Sequence, residues 1–349
     1  MKLNKFLHLL FAFTILFGVA SCSLDTTEEL TIQPRVDYSN GFLIANEGKY
    51  GTPNAEVTFV TPDLSVKQDN IFLSNNGGKL GDVLQMIAFN GNNAYLLLNN
   101  SNKIQIVNRY TFKATGEITA GLNTPRYMAF ANNNMYVTND KYNGDKFVNV
   151  YKTSDNSLVK KITFTETVER VVEAGNNIFV QNASFGYGNN ITLINTTTNE
   201  IQKTITVNGN ISKIISNNQN VYAIAAGTTD SYIYQISSAG DIVKTTTLTG
   251  IASAKNLEIS NNKFYFSSGK SVYTMDMKGS TVPTSPLFTV ASSIDPYSDL
   301  YGFSVVKDLI FTSDANGFTQ DSKIVVYNTS GVVVKTFSAG VASNSVYWN

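Results

Sequence analysis

Four segments of the chain each set an aromatic ring among glycines and amide side chains: Asn46-Glu47-Gly48-Lys49-Tyr50-Gly51, Asn139-Asp140-Lys141-Tyr142-Asn143-Gly144, Ser184-Phe185-Gly186-Tyr187-Gly188 and Asp314-Ala315-Asn316-Gly317-Phe318. Such segments suit recognition rather than bond-making, because a ring gives rigid contact area and the amides add hydrogen bonds to a polar ligand. A second set is cationic. Arg126, Arg170, Lys213 and Lys255 recur at similar intervals, each opening a run of strand-forming residues. Converging on an axis, they would form a partial ring able to hold a phosphate or carboxylate. The competing reading is that the rings pack over the ends of the fold and the cations bridge to acids such as Asp82 or Glu169. The candidate ligand-binding residues are therefore Glu47, Tyr50, Asp82, Arg126, Tyr142, Arg170, Phe185, Tyr187, Asp314 and Phe318.

Other chemistry is scarce. The one histidine, His8, and the one cysteine, Cys22, both lie in the N-terminal leader, so the body beyond them lacks both types. That excludes His-based triads, His-ligated zinc, thiol nucleophiles, cysteine zinc pairs and disulfides. No catalytic residue and no metal site is expected. The scattered acids Asp295, Asp299, Asp314 and Asp321 read as turn residues, without the regular spacing of a calcium loop. Setting Lys2 and Lys5 aside leaves 24 basic against 26 acidic residues, which is no electrostatic field for nucleic acid.

The elements that must position these loops are repeated. An Asn- or Gly-rich turn leads into a strand with an aromatic anchor at Tyr95, Tyr136, Phe179, Tyr222 and Tyr265, at steps of 41, 43, 43 and 43 residues. Looser copies lie at Phe42-Leu43-Ile44 and Leu309-Ile310-Phe311, and a second strand follows each copy, as in Lys103–Asn108. Seven copies with a period in the low forties, and several strands per copy, predict an all-β, seven-bladed propeller over residues 39–349. One blade is expected at Val83–Phe89, Ala94–Leu98, Lys103–Asn108 and Ala114–Ile118. No amphipathic helix is expected beyond the leader. The body opens on a second strand and ends on a lone inner strand, Ser345-Val346-Tyr347-Trp348, so the C-terminal strand is expected to close the ring by joining the N-terminal blade.

Residues 1–21 read as a lipoprotein signal peptide. Lys2 and Lys5 are its charged region, Phe6–Val19 its apolar stretch, and Val19-Ala20-Ser21-Cys22 a lipobox that marks Cys22 for acylation. Residues 22–38, acidic at Asp25, Glu28 and Glu29, read as a flexible tether. A lipid-anchored protein exposed on the outer membrane is the expected location, with the lipid as its sole membrane contact.

Asn46-Glu47-Gly48 with its glycine-rich loop, Gly81-Asp82-Val83-Leu84-Gln85 and Pro125-Arg126-Tyr127-Met128 resemble the YncE-like propeller lipoproteins of Bacteroidota-type cell surfaces. The resemblance spans the whole body. Its cobalamin-capturing branch implies a non-enzymatic subunit that binds a corrinoid and sits over a TonB-dependent outer-membrane transporter, with cobalamin as the ligand. Two other readings stay open: an adhesive or scaffolding propeller for glycan or protein, and a propeller hydrolase or lyase, which the missing histidine disfavours.

Overall fold

The computed structural model describes residues 37–349. The leader, Cys22 and the tether up to residue 36 lie outside the described residues. Seven four-stranded antiparallel sheets make the seven blades of a β-propeller. The innermost strands of blades 1 to 7 are Ser343–Trp348, Leu84–Asn90, Pro125–Ala131, Val171–Ala174, Asn210–Asn217, Ala254–Ser260 and Gly302–Val306.

The aromatic anchors all fall on second strands and are 0–7 % exposed. Both faces of these strands are covered by neighbouring blades, so Phe42–Asn46 is buried at every position, whereas an outer strand such as Ala114–Ile118 is exposed at four of five. That gradient explains why the repeat is strongest in the second and third strands. Seven apolar clusters form the core, one at each seam between blades. Among the described residues no helix is long and apolar enough to cross a membrane.

The hairpins joining first and second strands are tight. Asn132-Asn133, Gly175-Asn176, Asn218-Gln219, Asn261-Asn262 and Lys307-Asp308 all hold positive φ at both turn positions, the geometry that matches strand twist in a two-residue turn. Asparagine and glycine tolerate it, which is why this turn is the most legible part of the repeat.

The ring closes as the sequence predicts. Phe42 pairs with Trp348, Ile44 with Val346 and Asn46 with Ser343. The last residue adds a clamp. Asn349 Nδ2 donates to the Tyr38 and Arg109 carbonyls at 2.8 and 2.7 Å, and its Oδ1 accepts from Arg109 Nε at 2.7 Å. Tyr38 is fully buried against Phe59 and Phe112, so propeller packing already includes this last residue of the expected tether.

Two blades depart from the repeat. The outer strands of blades 1 and 6 shrink to Lys67–Gln68 and Phe288–Thr289. A short helix, α1 (Ile71–Asn76), follows the first of them, where no helix is expected from sequence. It has six residues, too few for periodicity to show. The buried Glu56 carboxylate holds its start, accepting from the Phe72 and Leu73 amides at 3.1 and 2.9 Å.

Candidate functional site

The loops from second to third strands and from each blade to the next emerge on one face of the ring. On that face Tyr50, Tyr142, Phe185 and Tyr187 border one cleft of about 750 Å³, together with Asn99, Thr124, Arg126, Asp140, Asn143, Lys146, Thr167, Glu169 and Ser184. The four rings are 76, 88, 87 and 78 % exposed, so they do not pack over the blade ends. Large apolar side chains left this open in one place mark a contact surface.

Each ring is held by a braced loop. Asp82 is buried and ties two blades together: its Oδ2 accepts from the Gly51 amide at 3.0 Å and from Asn100 Nδ2 at 2.5 Å, fixing the loop that carries Tyr50. Asp140 Oδ2 accepts from the Val168 amide at 3.0 Å and from the Thr167 hydroxyl, and its Oδ1 lies 3.3 Å from Lys146 Nζ. That anchors the loop of Tyr142. Phe185 and Gly186 are the two turn residues between paired Ser184 and Tyr187, with φ of 50° and 82°. A bulky residue at positive φ is strained, and such strain concentrates at functional sites.

The cleft floor meets the axial channel, where inner strands are bulged. Register shifts fall between Leu84 and Met86, Pro125 and Met128, Ile211 and Lys213, and Lys255 and Glu258. In blade 4, Glu169 and Arg170 both bond to the backbone of Gln181, two residues against one. Bulges re-aim side chains. Here they coincide with Gln85, Arg126, Tyr127, Glu169, Arg170, Ser212 and Asn256. In blade 3 the Thr138 hydroxyl accepts from the Tyr127 amide at 2.9 Å and donates to the Glu169 carbonyl at 2.7 Å, pinning the bulge to the next blade.

The channel charges are mostly paired. Arg126 grips Glu169 through Nε and Nη2 at 2.9 and 2.7 Å and donates from Nη1 to Gln85 Oε1 at 2.9 Å; Gln85 Nε2 in turn donates to the Tyr127 hydroxyl at 3.2 Å. Lys213 Nζ donates to Glu258 Oε1 at 2.6 Å. Burial pushes the Lys213 ammonium down, the Glu258 carboxylate pulls it up, and the charge of Arg170 pushes it down again. Glu47 accepts from Asn344 Nδ2 at 2.8 Å and from the Tyr301 hydroxyl. Burial nevertheless raises its carboxyl above the ordinary range, against those bonds and the charge of Arg126. Arg170 differs: its guanidinium lies 4.4 Å over the Tyr127 ring, and among the described residues no carboxylate pairs with it. Lys255 is exposed.

The predicted residues thus divide by place. Tyr50, Arg126, Tyr142, Phe185 and Tyr187 share the cleft, Asp82 braces it, and Glu47 and Arg170 belong to the channel. Asp314 and Phe318 lie apart, on blade 7. Asp314 Oδ1 accepts from the Ser293 hydroxyl at 2.6 Å and the Asn316 amide at 2.8 Å, and Phe318 packs edge-on to Tyr301 at 4.9 Å. The candidate set lacks Gln85, Tyr127, Glu169, Glu258, Tyr301 and Asn344. The signal for them is the blade period itself, since the Arg126–Gln85, Arg126–Glu169 and Lys213–Glu258 partners are 41, 43 and 45 residues apart. Among the described residues no three acidic, histidine or cysteine side chains are grouped so as to hold a metal ion.

No curated protein matches this chain in sequence. Among solved structures, a quinonprotein alcohol dehydrogenase-like protein from Bacteroides thetaiotaomicron VPI-5482 is similar at a TM-score of 0.66 and 14 % identity, over 89 % of this chain and 79 % of the other. A functionally unknown protein from Desulfotomaculum acetoxidans DSM 771 is similar at a TM-score of 0.61 and 11 % identity, over 88 % and 98 %. The computationally designed Ika8 protein is similar at a TM-score of 0.58 and 10 % identity, over 89 % and 92 %. At such identities these likenesses speak to the fold alone. The family described as Domain of unknown function (DUF5074) matches residues 40–348, nearly the whole propeller, and the chain belongs to that family.

Proposed function

We propose that this protein is a binding propeller, without catalysis of its own, that captures a small polar ligand in the cleft above blades 1 to 4. It would be anchored to the cell surface through Cys22 and would pass the ligand to a TonB-dependent outer-membrane transporter. The observation that carries the binding role is the convergence of four exposed rings on one cleft that opens towards a charged channel. Rings supply stacking surface, and Asn99, Asn143, Thr124 and Thr167 supply hydrogen bonds to a ligand's edges. The anchor, the transporter and cobalamin as ligand come from the leader sequence and the family resemblance. A corrinoid, with a broad ring system fringed by amides, suits such a lining.

The test mixes purified protein with cyanocobalamin and passes it over a sizing column. A coloured, stoichiometric complex supports capture. The Tyr142→Ala/Phe185→Ala/Tyr187→Ala variant should keep its melting midpoint and elute colourless. Affinity retained in that variant moves the site off the cleft. Colourless wild-type protein that binds a glycan array instead would replace capture by adhesion.

A further inference from the structure

We propose that Arg170 is an oxyanion receptor at the channel mouth, which takes the carboxylate or phosphate group of a ligand whose body lies in the cleft. The ligand's body rests on the capture reading; the anion site does not. Three observations carry it. Arg126 and Lys213, the inner-strand cations of the flanking blades, are each spent on a carboxylate, whereas Arg170 has none among the described residues. The guanidinium face is already fixed by the Tyr127 ring at 4.4 Å, a contact that orients the group without using its N–H donors. Its chain neighbour Glu169 lines the cleft, so the receptor sits where a ligand arm would descend.

The chemistry follows from geometry. A planar guanidinium held by its face presents its donors edge-on, in the fork that matches two oxygens of one oxyanion. Half-burial raises the cost of leaving that charge unpaired, so a matching anion is favoured over a neutral group of the same size. Lys213 is close enough for the charge of Arg170 to shift its titration, but its own charge is answered by Glu258, so Arg170 supplies the uncompensated positive charge at this spot.

The test titrates purified full-length protein with inorganic phosphate and, separately, with acetate, at low ionic strength by calorimetry. Saturable binding of one anion per chain is expected. Arg170→Gln should weaken it by about tenfold or more, as loss of a charge-assisted fork requires. Arg170→Lys should recover part of the affinity, and Lys335→Gln, at an exposed cation on the outer strand of blade 7, should leave it unchanged. Tighter phosphate names a phosphate-bearing ligand, and tighter acetate a carboxylate-bearing one. The triple aromatic variant should bind phosphate normally, so failure of the cleft reading leaves this result intact. Equal binding by wild type and Arg170→Gln, or no saturable binding of either anion, overturns the assignment.

Discussion

Replacing Phe185 by asparagine should make the protein slightly more stable and a poorer binder. Phe185 occupies the first position of a two-residue hairpin turn at φ 50°, and its side chain is 87 % exposed. For an ordinary L-residue the left-handed region costs about 1–2 kcal/mol, a cost that asparagine largely escapes. Against this stands the little ring area that is buried: a small fraction of the ~200 Å² of a phenylalanine, worth about 0.5 kcal/mol at ~25 cal/mol per Å². The balance favours Phe185→Asn by roughly 0.5–1 kcal/mol. In a domain of this size that moves the melting midpoint up by about 1–3 °C, within reach of calorimetry. Titration of the same samples with cyanocobalamin should show weaker binding. A midpoint that falls by several degrees would refute the turn argument, because the ring would then be packing on something. Unchanged affinity would refute its place on the binding face. A residue that its own turn disfavours, and that touches little of the protein, is better explained by what it contacts outside.

Deleting 343–349 removes the inner strand of blade 1 together with the Asn349 clamp, so the midpoint should drop by more than about 10 °C or the cooperative transition vanish; an unchanged melt would sink the closure argument. Glu169→Ala takes the paired carboxylate from Arg126, whose side chain is only 19 % exposed, at a cost of about 3 kcal/mol measured by urea unfolding. Adding Arg126→Met to that variant should recover much of the loss, and a double variant as weak as the single one would deny the pair any coupling. Burial raises the Glu56 carboxyl from 4.5 to about 7, against the backbone N–H bonds it accepts. The native state therefore keeps a proton that the unfolded chain has released across that window, and stability should fall as pH rises from 4.5 to 7. Comparing urea midpoints of wild type and Glu56→Gln at the two ends checks this: the variant should show a smaller fall, and parallel curves would assign the slope to other groups.

The ring was readable because its signal repeats. Tyr95, Tyr136, Phe179, Tyr222 and Tyr265 are buried at the same place in successive blades, and the turns before them need the positive φ that asparagine and glycine accept. Where the physics is met by other residues the trace fades. Blade 7 turns on Lys307-Asp308, and α1 is held by Glu56 from another strand rather than by a local cap. The cleft was partly readable, since a ring in a glycine-rich loop has little to bury against. Phe318 shows the limit of that rule: it meets Tyr301, which lies in the loop leading into the same blade. The channel pairs were least readable. Arg126 and Glu169 are far apart in sequence, and only the bulges and the curvature of the ring bring them within 3 Å.

The chain enters the propeller at Asp37–Asn40, on the face opposite the cleft, where the Tyr38 amide donates to the Tyr110 carbonyl and the Asn40 amide to that of Asn349. From there it runs straight into Phe42–Asn46, a strand with a ladder on each side. A pull applied at this end acts along that strand, loading both ladders in shear and all their hydrogen bonds at once, instead of peeling an edge open bond by bond. Under the anchoring proposed above, load would enter the ring through a strand paired on both sides, and drag on a ligand in the cleft would not prise the blades apart.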